Sequence, residues 1–310
     1  MSIRPLCPEL AKKAREELNE DAKTIESDLR SIKDWLSKQP HLRARTDDQW
    51  LVAFLRGCKY SLERTKEKLD LYYSMRSLAP ELFRLKASDP LFNEIMDLGT
   101  YVTLLKTATP DSPRIIIIRA GSYDPAKYNF LDIFSAASII QRILIYEDDA
   151  TIISGFKTIM DMEGVTLAHW LQITPSSMKK MAVLSQDAGP VRMKGTHYIN
   201  TPPGFENIFG IIKNVLNEKN RNRLYVHNKN YEELYKHIPQ EILPNEYGGN
   251  GGNIKEISEY WKAKVQEYSS WLEDDLKYGS DESKRVENQG RLRYCLGSRV
   301  HSDNWNLINL

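Results

Sequence analysis

Six cations crowd two short stretches of this 310-residue chain: Arg192 and Lys194 in the first, Lys213, Lys219, Arg221 and Arg223 in the second. One acid, Glu218, lies among the second set. Such an excess suits a polyphosphate headgroup, which guanidinium and ammonium groups hold by charge-assisted hydrogen bonds. The alternative is an ordinary solvated charged face. Between the two stretches, Phe205, Ile208, Phe209, Ile212, Val215 and Leu216 recur at helical spacing and form a broad apolar face. A Pro202-Pro-Gly204 hinge precedes them. Such a helix either packs on a sheet or moves as a lid.

Other chemistry is sparse. No Gly-x-Ser-x-Gly elbow, His-Glu-x-x-His motif or P-loop is present. The Gly248-Gly-Asn-Gly-Gly252 run lacks the Lys-Ser/Thr ending of a phosphate loop. His41, His169, His197, His227, His237 and His301 include no pair at three- or four-residue spacing. His169, His197 and His227 fall near element ends, where they can meet in space or serve as core and surface residues. Asp161 and Glu163 are too isolated a pair to argue acid–base catalysis. Cys7, Cys58 and Cys295 lack metal-ligand spacing and read as free thiols in a reducing compartment. No catalytic residue, metal or cofactor is therefore expected. A net charge of +1 gives nucleic-acid binding no support. No apolar run approaches the roughly 18 residues of a membrane span, and the N-terminus has no signal-like core. The expected location is the cytoplasm, with transient peripheral membrane contact.

The elements that must position these residues follow from hydrophobic period. Leu10, Ala14, Leu18, Ile25, Leu29, Ile32 and Trp35 predict one helix over 9–38, stopped by Pro40. Thr46 and Asp47 open a second helix, with Trp50, Leu51, Phe54 and Leu55 on its face. Ser61 opens a third through Leu69, Tyr72, Tyr73 and Leu78. Past Pro90 the texture changes. Strands are expected at 101–106, 114–119, 155–161, 195–200 and 222–227, with helices at 130–146, 175–184 and 204–216 between them. The four consecutive isoleucines of 115–118 mark a strand buried on both faces. Strand and helix in alternation imply a mostly parallel sheet. A polar helix is expected over 254–276, then a charged, partly mobile tail beyond Ser280. The fold class is thus α/β, with divisions at 1–90 (helical), 91–253 (α/β) and 254–310 (helix and tail).

Residues 30–275 resemble the CRAL-TRIO lipid-transfer family, its tocopherol and retinaldehyde carriers in particular. The resemblance rests on DQWLVAFLRGCKYSLERTKEKLDLYY at 48–73, Asp161-Met-Glu-Gly164, Gln172-Ile-Thr-Pro175, Lys194-Gly-Thr-His-Tyr-Ile-Asn200 and Leu243-Pro-Asn-Glu-Tyr-Gly-Gly249, in the family's order. It implies a small all-α domain before a lipid-binding domain with a sheet floor and a lid over 205–216, carrying Phe205, Ile208, Phe209 and Ile212. It implies pocket walls from Phe134, Ala137, Ile140, Gln141, Phe156, Met160, Val183, Leu184 and Val191. It also implies a phosphoinositide site at Arg192, Lys194, Lys219 and Arg223; the order Arg-x-Lys, swapped from the family's, keeps the charge. Three positions depart from the pattern. Against the family's pattern, Ala137 and Gln141 replace small hydroxyl residues, Gly189 replaces a phenylalanine, and one residue is added within 147–154. The pocket stays apolar but changes shape, so tocopherol is not singled out. Gln141 either bonds a ligand's polar end or lies on the outer face of its helix.

The expected function is a soluble carrier. It binds one hydrophobic ligand, tocopherol-like, retinoid or a related lipid, and passes it between membranes with phosphoinositide-assisted release. A phosphoinositide-regulated lipid sensor or scaffold is the alternative, and a lipid-acting enzyme a third, for which no nucleophile–base pair is found.

Overall fold

The computed structural model describes residues 3–286. The expected helix over 9–38 is two helices, α1 (Pro8–Leu18) and α2 (Ile25–Leu36). Asn19 ends the first by turning left-handed, with φ 62°. Asparagine is among the few residues that tolerate this conformation, and apolar spacing alone does not register it. After β1 (Leu42–Arg43) come α3 (Asp48–Gly57) and α4 (Leu62–Leu78). The Asp47 carboxylate caps α3, accepting from the Trp50 amide at 3.0 Å. Ser61 precedes α4 without a side-chain cap. Trp50, Phe54, Tyr72 and Tyr73 fill the core between these helices, Phe54 and Tyr72 edge-to-face with ring centroids 5.5 Å apart.

Helix α5 (Pro90–Asp97) leads to a five-stranded sheet. Its strands are β2 (Tyr101–Thr103), β3 (Arg114–Arg119), β4 (Phe156–Asp161), β5 (Met193–Ile199) and β6 (Leu224–Asn228), in that spatial order. Only β2 runs antiparallel to its neighbour. The crossovers carry α6 (Phe130–Glu147), α7 (Asp149–Ser154), α8 (Leu167–Leu171), α9 (Pro175–Val183), α10 (Phe205–Val215) and α11 (Glu218–Arg221). A π-helical turn, Leu184–Ala188, extends α9. Such turns concentrate at functional sites.

The pleat sorts side chains between two faces. Met160 and Tyr198, aligned in register, meet Phe205 of α10 on one. Lys157, Ile159, Asp161 and His197 occupy the other, against the chain after α12 (Tyr231–Tyr235). The expected helix over 254–276 breaks at Tyr268 into α13 (Ile254–Glu267) and α14 (Ser269–Asp275). Arg45, Arg76 and Arg142 gather on the fully buried Asp275 of α14, at 3.5, 2.8 and 3.0 Å. Beyond β7 (Gly279–Ser280), which pairs with β1, the chain is tied down rather than mobile as far as Arg285. Both Arg285 amino groups reach Asp70 at 2.8 Å. The rest of the expected mobile tail, with Cys295 and His301, lies outside the described residues. Cys7 and Cys58 are free thiols.

Candidate functional site

Helix α6 is buried at every position from 133 to 145 except two, Phe134 and Gln141. The four residues that flank Gln141 on the helix surface, Ala137, Ser138, Leu144 and Ile145, are all at most 9% exposed. Gln141 is thus an exposed side chain set among buried ones. Beside Gln141 stands Tyr101, whose buried hydroxyl faces the Gln141 and Thr103 side chains. Burial pushes the Tyr101 phenol up to about 12, so it stays a neutral donor.

The other sequence-predicted wall residues divide by burial. Phe134, Phe156, Met160, Leu184 and Val191 are half-buried. They lie at the margins of three separate core clusters: Phe156 at that of the sheet, Met160 at that of α10, and Phe134, Leu184 and Val191 at that of the N-terminal helices. Ala137 and Val183 are buried at 9% and 7%. Ile140 has no exposed surface and packs within the sheet core.

Helix α10 is seated at its beginning by aromatics. Phe205, 3% exposed, stacks with Phe209 and Tyr198, with ring centroids 5.2–5.5 Å apart. Ile208, Phe209 and Ile212 remain half-buried. Gly204 opens the helix with φ 80° and no atoms near its Cα face, so the turn into the helix is unencumbered. Next to this end, Leu167 and Leu171 of α8 stand 67% and 74% exposed, on one side of their helix. Periodicity missed this pair because α8 is only five residues long.

The four predicted cations converge. Arg192 donates to the Ile153 carbonyl and Arg223 to the Met193 carbonyl. Lys194 and Lys219 are both held below their ordinary values, first by burial and then by neighbouring cations, with Arg192 and Arg223 acting on each. The fold adds three cations that sequence distance hid: Lys13 acts on Lys194, and Lys59 and Arg64 act on Lys219. Glu17, 3.9 Å from Lys194, is the nearby carboxylate. Cations that depress one another gain when an anion binds among them.

Three histidines meet on the opposite face of the sheet. His197 and His227 share a hydrogen bond of 2.9 Å, and His237 lies with its ring 5.1 Å from that of His197. Tyr225 stacks on His197, and Lys157 donates to the His237 carbonyl at 2.6 Å. Burial, then the charges of His227, His237 and Lys157, drives His197 down to about 3. His227 is lowered by burial and His237. Among the described residues no cluster of His, Cys, Asp or Glu has metal-holding geometry. The consequence is a pH effect on stability. Below about 6.5 the unfolded chain binds a proton that folded His197 refuses. Stability is therefore full above that pH and is lost as pH falls toward 3. Between pH 7 and pH 5 the loss from this one residue is about 2 kcal/mol. Urea unfolding at the two pH values checks it, and His197→Gln is expected to flatten the decline.

Asp161 and Glu163 do not form a working pair. The Asp161 carboxylate is buried and accepts from Tyr247 Oη at 2.6 Å, Asn200 Nδ2 at 2.9 Å and the Glu163 amide at 3.0 Å, while Glu163 is exposed. His169 caps α8 and bonds the Tyr123 carbonyl. A separate cleft of about 530 Å³, bordered by Asp97, Arg119, Glu246, Lys255 and Lys262, contains none of the predicted site residues. No described helix is long and apolar enough to cross a membrane.

A helical N-terminal region, a mostly parallel sheet and an amphipathic covering helix define an α/β architecture. Residues 98–249 match the CRAL/TRIO domain, and residues 21–95 match the Pinta-like UBA domain. The chain belongs to the CRAL/TRIO lipid-binding and transfer family. It is 33% identical over 251 residues to the alpha-tocopherol transfer protein-like protein of Homo sapiens, covering 80% of this chain and 72% of that one. It is 30% identical over 246 residues to clavesin-2 of Rattus norvegicus, covering 79% and 75%. The solved structure of Sfh5 aligns with 84% of this chain and 98% of its own at 12% identity, with a TM-score of 0.49.

Proposed function

We propose that the protein carries one hydrophobic lipid in the hollow beneath α10 and releases it at membranes bearing phosphoinositides, without catalysing a reaction. The observation that carries this reading is the pairing of an amphipathic helix over half-buried apolar side chains with a cation cluster at its flanks. Phe134, Phe156, Met160, Leu184 and Val191 line the ligand, Ala137 and Val183 close the wall behind it, and Ile140 backs that wall. Gln141 and Tyr101 take its polar end. Tocopherol-like and retinoid molecules suit such a wall. A buried CH₂ contributes about 0.8 kcal/mol, so a tail of roughly twelve carbons gives about 10 kcal/mol before ordering costs. Binding of that strength makes unassisted release slow, and a door that opens on a membrane solves the kinetic problem.

The inner face of α10, Phe205 to Ile212, leaves the ligand and enters lipid, with exposed Leu167 and Leu171 entering beside it. Arg192, Lys194, Lys219 and Arg223 take the phosphoinositide headgroup and favour the open state. The carrier works from the cytoplasm. The test is transfer of a fluorescent tocopherol analogue between vesicles. Acceptors containing phosphatidylinositol bisphosphate are expected to speed transfer about tenfold over phosphatidylcholine alone. Equal rates on both acceptors would remove the headgroup from the mechanism.

A further inference from the structure

One glutamine joins the far end of α10 to the rest of the molecule. Gln186 sits in the π-helical turn after α9. Its Nε2 donates to the Val215 carbonyl at 3.2 Å, at the last residue of α10. Its Oε1 accepts from the Asn217 amide at 2.9 Å and from Asn220 Nδ2 at 3.1 Å. One side chain thus bonds both sides of the α10–α11 junction. Its backbone is fixed in turn from the N-terminal helices. Lys68 of α4 donates to the Gln186 carbonyl at 3.3 Å and to the Gly189 carbonyl at 2.7 Å. Gly57, at the end of α3, comes so close that a Cβ there would lie 2.2 Å from the Pro190 carbonyl oxygen. The turn therefore rests on α3 and α4 on one side and grips α10 on the other.

From this geometry we infer that Gln186 is the clasp holding the C-terminal end of α10 shut, and that Lys68 couples the clasp to the N-terminal helices. The inference rests on the proposed role of α10 as a door. The opposite end of α10 is held by aromatic packing and turns at Gly204, so release of the clasp lets the helix swing about Pro202–Gly204. The two ends are held by different means. The aromatic packing at the beginning yields only as the whole face transfers to lipid, whereas three hydrogen bonds at the end break singly and reform. Lys219 lies between Asn217 and Asn220, the two residues that Gln186 holds, and Arg223 follows within three residues of Asn220. An anion bound by Lys219 and Arg223 acts directly on the clasped segment. The N-terminal helices in this arrangement set the resting position of the door.

Hydrogen exchange on the full-length, ligand-free protein tests this. In Gln186→Ala, amide exchange over 211–221 is expected to rise at least tenfold while the sheet and N-terminal helices keep wild-type protection. Gln186→Glu retains both acceptor bonds but loses the donor to the Val215 carbonyl, so it is expected to restore protection over 217–221 and leave 211–215 exchanging fast. Lys68→Met is expected to raise exchange over 184–189 and 211–221 together. Unchanged exchange over 211–221 in Gln186→Ala overturns the clasp, as does a rise spread evenly over the chain. Lys68→Met with wild-type exchange overturns the coupling. Release of the fluorescent tocopherol analogue to phosphatidylcholine vesicles is then measured for Gln186→Ala and is expected to quicken about tenfold. Faster exchange with unchanged release leaves the clasp standing and removes the door reading of α10.

Discussion

Asp275→Ala is expected to lower stability by roughly 3–5 kcal/mol, the range for removing one partner of a buried ion pair. The carboxylate is fully buried and serves three guanidiniums, Arg45 from the loop between β1 and α3, Arg76 from α4 and Arg142 from α6. Deleting it takes the carboxylate from Arg76 and Arg142 where water cannot reach them, while Arg45 keeps Asp274 at 3.3 Å. The Arg142 guanidinium is already held below its ordinary value by burial, with Asp275 the chief opposing influence. Removing a single arginine costs less, because Asp275 keeps two partners. Arg142→Met, which also preserves volume, is expected to cost about half as much. Thermal unfolding followed by far-ultraviolet dichroism measures both. At 2–4 °C per kcal/mol for a domain of this size, Asp275→Ala falls by about 10 °C. A fall of less than 2 °C would mean that the buried cluster contributes little.

The second large effect concerns the cations. Changing Arg192, Lys194, Lys219 and Arg223 together to alanine is expected to weaken binding to phosphoinositide vesicles about 100-fold and to abolish the acceleration of transfer. Each cation near an anionic surface contributes about 1 kcal/mol, and salt screening reduces the sum. Arg192 and Arg223 also bond backbone carbonyls, so the quadruple variant disturbs local structure as well. Lys194→Met with Lys219→Met avoids this, because neither lysine makes such a bond among the described residues, and is expected to cost about tenfold. Binding of the wild-type protein is expected to weaken as salt rises from 0.1 to 0.5 M. Unaltered vesicle binding by both variants would mean that these residues form a solvated face.

The strands and the covering helix were legible because their signals are local. The isoleucines of β3 need no partner to announce a buried strand, and the spacing from Phe205 to Ile212 states its own apolar face. Local breaks were not legible. Asn19 and Tyr268 end helices inside otherwise continuous patterns, through backbone geometry that hydrophobic period does not encode. Sites assembled across the chain were only partly readable. Arg192, Lys194, Lys219 and Arg223 flank one helix and so drew attention together. Lys59 and Arg64 lie over 120 residues earlier and join them only through the fold. Gln141 could be singled out by sequence, yet its direction depends on the burial of its helical neighbours. Tyr101, from another strand, gave no signal, since an aromatic in a short strand is ordinarily core. The histidines of β5 and β6 meet because the parallel pairing sets Tyr225 beside His197 and brings His227, two residues on, to the same face, and strand register is invisible in residue spacing.

Transfer of the kind proposed requires a lipid bound beneath α10. Native mass spectrometry of the purified full-length protein, followed by extraction and identification of what accompanies it, tests this most directly. The predicted result is a complex with one bound molecule per chain, apolar over most of its length and with a single small polar end. Gln141→Leu is expected to reduce its occupancy. A protein that stays empty after purification, and after incubation with tocopherol, retinaldehyde and phospholipid vesicles, would contradict the account.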